Sequence, residues 1–132
     1  MVQLRTPLTG SLITFPDGSQ MRYFDTHAHI GLIYDDPIEQ LLACQQARQY
    51  GVQKIVSICN SLIDFFQVYE SLKSAEHVYH AAGVSPSEVA APGRDWRSKL
   101  EDALKLPRVV AVGEIGLDYF HRYGDKDSQV EL

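Results

Sequence analysis

The sequence predicts an α/β fold in which helices cover a parallel sheet. Segments of β-strand character alternate with segments of helical apolar spacing, and two strands are almost entirely apolar, as strands covered on both faces are. The strands are expected at 24–29, 53–59, 77–83 and 109–114. A doubly wound sheet and a (β/α)8 barrel explain this pattern equally well.

Three complete helices are expected between these strands, because apolar residues recur there at helical spacing. In the first, Pro37 suits the first helical position and Gly51 suits a C-terminal cap. Pro107 blocks continuation of the third. The expected helices cover 37–50, 61–74 and 95–105, and 127–132 has the character of the first turn of a fourth.

Residues 1–23 are expected to form an N-terminal extension that contains a β-hairpin. The sequence Pro-Asp-Gly-Ser at 16–19 is strong turn chemistry, and it lies between the β-prone runs 11–15 and 20–24. Residues 24–132 then form the main unit of the chain.

Charge and cysteine content restrict the possible functions. The formal net charge of −5 argues against a protein that grips nucleic acid through a broad basic surface. It leaves open a nuclease whose bound cations supply positive charge locally. The two cysteines, Cys44 and Cys59, are too few for a disulfide scaffold, and Cys59 is expected to be a buried apolar residue.

The composition is that of a globular protein, with 45% hydrophobic and 22% charged residues. No apolar run approaches the ~20 residues that cross a bilayer, and the N-terminus lacks the apolar stretch of a secretory signal. We therefore expect a cytoplasmic protein without a membrane partner.

The segment Asp25-Thr26-His27-Ala28-His29 is the first candidate site. Side chains alternate along a strand, so Asp25, His27 and His29 are expected on one face. Two imidazoles on one face can chelate a divalent ion. Functional sites of α/β folds gather at the carboxyl ends of strands, which favours this interpretation over two unrelated histidines.

Glu114 is the second candidate, because it ends the apolar strand at 109–114 between Gly113 and Gly116. An isolated buried carboxylate is unfavourable without a partner. A metal ion is one such partner; an arginine, or a loop that the glutamate caps, is the alternative.

Together the two segments resemble the TatD-type metal-dependent deoxyribonucleases, which are amidohydrolase-like barrels. The similarity lies in Phe-Asp-Thr-His-Ala-His at 24–29 and Val-Gly-Glu-Ile-Gly-Leu-Asp-Tyr at 112–119. It implies the N-terminal half of a TIM-type (β/α)8 barrel and a two-metal site with zinc, manganese or magnesium. His27 and His29 would hold one ion, the catalytic Glu114 would bridge both, and metal-activated water would cleave DNA phosphodiester bonds.

Ser85 departs from this pattern, because the family usually has histidine there in Gly-x-His-Pro, whereas this chain reads Gly-Val-Ser-Pro at 83–86. Serine keeps hydrogen-bonding capacity but lacks the imidazole's ligand and acid–base chemistry. Asp118 is expected to organise its loop, Arg122 to be a solvated surface residue, and His77 and His80 to be ordinary strand residues.

The chain supplies four strands, whereas a full barrel needs eight βα units in about 250 residues. We therefore expect a truncated half barrel that is completed by a missing C-terminal half or by a second copy. In a flat sheet, the first and fourth strands would lie about 14 Å apart at ~4.8 Å per step. His27, His29 and Glu114 can share an ion only if the sheet curls.

Three alternatives remain open. The chain could act on an amide or lactone, as other amidohydrolases do, or it could be a catalytically incomplete fragment or interaction module. A doubly wound nucleotide-binding protein ranks last, because no glycine-rich phosphate loop follows any expected strand.

Overall fold

The computed structural model describes residues 15–132 of the chain. Within them, four parallel strands form one sheet in the order β1-β2-β3-β4. The strands are β1 (Tyr23–Ala28), β2 (Val52–Ile58), β3 (Val78–Ala82) and β4 (Val109–Val112).

Five α-helices and one 3₁₀ turn accompany the strands within the described range. The helices are α1 (Ile30–Ile33), α2 (Pro37–Gln49), α3 (Leu62–Leu72), α4 (Trp96–Leu104) and α5 (Lys126–Glu131), and the 3₁₀ turn is Pro86–Glu88. The predicted strands and the three predicted complete helices are confirmed, with ends that differ by at most two residues.

Side-chain caps explain where three of the helices begin. Asp36 accepts hydrogen bonds from the main-chain N–H groups at the start of α2, Ser61 caps α3, and Asp125 caps α5. Behind α2, Gly51 adopts φ +95°, a left-handed conformation that glycine reaches without a steric penalty. The chain can therefore turn directly from α2 into β2.

The core lies between the sheet and its helices. One cluster joins β2 and β3 to α2 and α3, and a second joins the far ends of β2 and β3 to α3 and α4. The first contains Ile30, Cys44, Ile55, Val68, Leu72, Ala75 and Val78; the second contains Cys59, Phe65, Tyr69, Ala82 and Ala103. Both cysteines are buried and free, as expected for Cys59.

The strand order distinguishes the two predicted architectures. Each strand pairs in parallel with the next strand in sequence, and the order never reverses. A doubly wound sheet contains a point at which the strand order changes direction. The uninterrupted order is that of a (β/α)8 barrel, of which the chain forms four strands.

The segment around Gly31, directly after β1, forms the short helix α1, which was not among the expected helices. A Cβ on Gly31 would overlap Asp64 Oδ1 and would lie 2.7 Å from Val68 Cγ2 of α3. Glycine is therefore needed for close helix packing. The 3₁₀ turn at Pro86–Glu88 was also not expected.

The predicted hairpin is only partly within the described residues, because its first arm includes residues 11–14. The turn itself is present: Phe15 N donates to Ser19 O at 2.8 Å, Gly18 N donates to Phe15 O at 2.9 Å, and Gly18 has φ +82°. Among the described residues, no helix has the length and apolar character needed to cross a membrane.

Candidate metal centre

The three candidate ligands lie at the carboxyl edge of the sheet. His27 is in β1, His29 follows that strand directly and precedes α1, and Glu114 follows β4 by two residues. Gly113 N still pairs with Ala82 O at 2.9 Å, so Glu114 leaves the sheet beside the end of β3. The parallel strands thus bring side chains distant in sequence to one end of the fold.

The ligand atoms of these three residues converge. Nε2 of His27 and Nε2 of His29 are 3.1 Å apart. Glu114 Oε1 is 3.6 Å from His27 Nε2, and Glu114 Oε2 is 4.0 Å from His29 Nε2. Among the described residues, these are the three His, Cys, Asp or Glu side chains whose ligand atoms all lie within 4.8 Å of one another.

The side chains of the two edge strands converge as they would on a curled sheet. In a flat sheet, residues on β1 and β4 would be about 14 Å apart at ~4.8 Å per strand. The side chains nevertheless meet, with His27 Nε2 3.6 Å from Glu114 Oε1. The convergence that a site shared by His27, His29 and Glu114 requires is therefore present.

The donor set fits a divalent ion. Bonds of about 2.0–2.1 Å in tetrahedral geometry separate two ligand nitrogens by about 3.4 Å, close to the spacing of the two imidazoles. Two imidazoles and a carboxylate leave a fourth position open, as in catalytic sites. Nδ1 of His29 is buried and has no hydrogen-bond partner among the described residues.

Asp25 and Gly83 contact the main chain of the candidate ligands and thereby limit where the ligands can lie. Asp25 does not join the cluster; its Oδ1 accepts a hydrogen bond from His27 N at 3.1 Å. A Cβ on Gly83 would lie 2.6 Å from the main-chain oxygen of Glu114 and 2.6 Å from the carbonyl carbon of Gly113. Gly83 therefore permits the close approach of β3 to the Glu114 segment.

A cleft of about 510 Å³ opens beside the cluster. Its lining includes His29, Glu114, Ser85, Asp118 and His121. Ser85 is buried, and its hydroxyl accepts hydrogen bonds from Ser87 N at 3.3 Å and from Ser87 Oγ at 3.0 Å. The serine thus caps the 3₁₀ turn and leaves space in the cleft.

Residues 118–124 form the loop on the far side of the cleft. As expected, Asp118 organises this loop, since its Oδ1 accepts from the main-chain N–H groups of Phe120 and His121 at 3.0 Å each. His121, whose Nδ1 is 2.6 Å from Asp118 Oδ2, was not among the candidates from the sequence. The spacing Asp-x-x-His was its one available signal.

Gln129, a buried residue of α5, was also not among the candidates from the sequence. Its Oε1 accepts from Asp118 N at 2.7 Å, and its Nε2 donates to Asp118 O at 3.1 Å and to Gly124 O at 3.3 Å. One side chain therefore joins both ends of the loop.

His77 and His80 lie outside the cluster, and His80 is a strand residue as expected, whereas His77 is not. His77 precedes β3, and its Nε2 is 2.9 Å from Cys44 O. His80 is buried in β3 between Phe65 and Tyr69. Arg122 is exposed and has φ +53°.

Comparison with known proteins identifies the family. The model of the TatD-related DNases matches residues 24–132, which include both candidate motifs and all four strands. The chain belongs to this family. The match begins at residue 24, at which the predicted main unit also begins.

Relatives in the TatD family include two bacterial proteins described as uncharacterized metal-dependent hydrolases. YabD of Bacillus subtilis is 28% identical over 83% of this chain and 42% of its own length. YjjV of Escherichia coli is 33% identical over 75% of this chain and 39% of its own length. The name of a mouse relative, TATDN3, contains the word deoxyribonuclease; it is 26% identical over 81% of this chain.

The crystal structure of YjjV, a TatD homologue, supports the same fold. It matches with a TM-score of 0.66 and 32% identity, over 83% of this chain and 41% of YjjV. The chain thus spans about two fifths of the TatD relatives that it matches. Its four strands form part of a TatD barrel.

Proposed function

We propose that His27, His29 and Glu114 form a divalent-metal site for hydrolysis of DNA phosphodiester bonds, with Glu114 as the catalytic carboxylate. The observation that carries this proposal is the convergence of two imidazoles from one edge of the sheet with a carboxylate from the other edge. The ligand atoms lie 3.1–4.0 Å from one another, close to the spacing of about 3.4 Å expected for ligands around one tetrahedral ion.

The chain's own residues have distinct roles in this proposal. The imidazoles are neutral donors, and the carboxylate neutralises part of the cation's charge. When bound, a divalent ion supplies a Lewis acid that polarises the phosphoryl oxygens and favours deprotonation of water. The open cleft beside Glu114 leaves room for a phosphodiester next to the ligands.

DNA is the proposed substrate for two reasons. The family whose model matches is that of TatD-related DNases, and a mouse relative is named for this activity. The net charge of −5 is compatible with DNA if the bound cation supplies the positive charge at the cleft. Because the chain spans about two fifths of its relatives, we propose that a C-terminal half or a second copy supplies further ligands.

Metal content of the purified chain tests the proposed ligands. After dialysis against zinc or manganese, we expect about one ion per chain, as a three-ligand site with an open position would hold. His27→Ala/His29→Ala and Glu114→Gln should each lose the ion. Glu70→Gln, which alters an exposed glutamate on α3, is the matched control and should retain it.

Inductively coupled plasma mass spectrometry measures the ion, and cleavage of a labelled oligonucleotide measures activity. Cleavage should depend on the added metal and disappear with a chelator and in Glu114→Gln. Retention of metal by Glu114→Gln at the wild-type level would remove this carboxylate from the site. Metal-loaded protein that leaves DNA intact would contradict the proposed activity of this chain.

A further inference from the structure

The loop after β4 places a second polar group in the cleft, the pair Asp118 and His121. Hydrogen bonds from the main chain and the imidazole of His121 lower the pKa of Asp118. The carboxyl group is therefore ionised at neutral pH and can only accept hydrogen bonds. In the 2.6 Å contact, Nδ1 of His121 must be the donor, so Nε2 is the nitrogen left for a ligand.

Two further sets of contacts orient this imidazole. Its ring stacks on Tyr123 with centroids 5.4 Å apart and an interplanar angle of 22°, and it meets Phe120 edge-on at 4.9 Å. Gln129 joins Asp118 to Gly124 and thereby fixes the main chain that carries the ring. The side chain is nevertheless 55% exposed, so water and a substrate can reach it.

We propose that His121 is a catalytic residue that protonates the oxygen leaving the phosphorus. The inference rests on the proposed phosphodiesterase function. The oxygen of water forms the new P–O bond, and the bond to the leaving oxygen breaks with its electron pair on that oxygen. Nε2 of protonated His121 gives this oxygen its proton. The attacking water releases a proton to solvent, and the imidazole regains one from solvent.

The carboxylate of Asp118 suits this role because it accepts the Nδ1 proton and holds the ring in one orientation, as in other carboxylate–histidine pairs. A purely structural role would not need the imidazole. The turn is already formed by Asp118 Oδ1 and the two main-chain N–H groups, and the ring adds only the contact to Oδ2. That contact and the stacking on Tyr123 instead orient the ring in the cleft that His29 and Glu114 also line.

The test compares leaving groups in a variant that keeps the structural contact. His121→Asn retains an amide donor near the position of Nδ1, which can still bind Asp118, but it lacks Nε2. Rates are measured on a DNA oligonucleotide, whose leaving alkoxide needs a proton, and on the p-nitrophenyl ester of thymidine 5′-phosphate, whose leaving phenolate does not. We expect a loss of about 10²- to 10⁴-fold on DNA and less than about threefold on the ester.

Equal losses on the two substrates would show that His121 supports the site without donating a proton, and no loss on DNA would remove it from the mechanism. Wild-type protein that retains metal but cleaves neither substrate would contradict the proposed function itself. To test His121 separately from the proposed function, a second measurement does not depend on turnover.

This measurement is nitrogen NMR of ¹⁵N-histidine-labelled, magnesium-loaded protein. The His121→Asn variant identifies the His121 resonances. In the neutral form the proton should be on Nδ1, and adding the dinucleotide thymidylyl-thymidine should shift the Nε2 resonance. A proton on Nε2, or an Nε2 that does not respond to the dinucleotide, would overturn the inference whatever the activity.

Discussion

At Gly83, both the packing of the sheet and the geometry of the candidate site depend on the absence of a Cβ atom. It follows β3 and faces the main chain of Gly113 and Glu114, with no room for a Cβ. The neighbouring atoms are main-chain atoms that cannot move aside as a flexible side chain can. Substitution here therefore acts on Glu114 without altering any proposed ligand.

We expect Gly83→Ala to displace the Glu114 segment and weaken metal binding about tenfold or more, as other losses of support around ligands do. The overpacked contact should also lower the free energy of unfolding by about 1–3 kcal/mol. Metal titration by calorimetry and urea denaturation measure the two effects.

Gly113→Ala is the matched control, because a Cβ at Gly113 would meet no atom within 4 Å and its φ is not positive. It should bind metal as the wild type does. Equal metal affinity in the two alanine variants would mean that the approach of β3 does not position Glu114.

At the scale of elements, α5 and the loop 118–124 act as one unit because Gln129 joins them. The buried amide makes three hydrogen bonds to main-chain groups of Asp118 and Gly124. The other contact of α5 with this loop among the described residues is that of Lys126 Nζ with the exposed ring of Tyr119, 5.0 Å from its centroid. The position of the Asp118–His121 pair therefore depends on a residue of the following helix.

Gln129→Glu tests this dependence with little change in shape. It keeps an acceptor for Asp118 N but lacks the donors to Asp118 O and Gly124 O. We expect the unfolding free energy to fall by about 1–3 kcal/mol, and hydrogen exchange in the loop to accelerate. Gln45→Glu, on the exposed face of α2, is the control and should leave exchange in this loop unchanged. Unaltered exchange in Gln129→Glu would contradict the role of the amide.

The sequence predicted the elements and the candidate ligands because both follow from local patterns. Helical spacing marks α2, and strand alternation with a polar tip marks His27, His29 and Glu114. Gly31, Gly83 and Gln129 gave no such signal, because their roles arise from contacts with distant segments. The curvature that brings β1 and β4 together is likewise a property of the whole sheet.

For the whole molecule, curvature joins the two edges of the sheet at the candidate site. Among the described residues, β1 and β4 each pair with only one other strand. Between them, β2 and β3 carry the core that the helices cover, and His80 lies in this core. Stability of the central strands is therefore a condition for the convergence of His27 with Glu114.

Protonation of His80 should destabilise the whole fold in weak acid. Burial, reinforced by the positive charge of Arg108, lowers the pKa of His80 from 6.5 to about 4. Between these pH values, His80 is protonated in the unfolded chain but not in the folded chain. The free energy of unfolding therefore falls as the pH decreases from about 6.5 to 4. The lowered pKa values of carboxyl groups such as Asp118 and Asp125 act at lower pH, as pH falls below about 4.

Urea denaturation at pH 7.5 and pH 4.5 measures this effect. The wild type should lose about 2–3 kcal/mol of unfolding free energy over this interval through His80. His80→Leu removes the titrating ring, and no hydrogen bond of Nε2 is lost, because this atom has no partner among the described residues. The variant should show a flatter dependence on pH. If the unfolding free energy of the variant fell with pH as steeply as that of the wild type, a group other than His80 would control stability in acid. The buried histidine of the central strands would then not make the candidate site sensitive to pH.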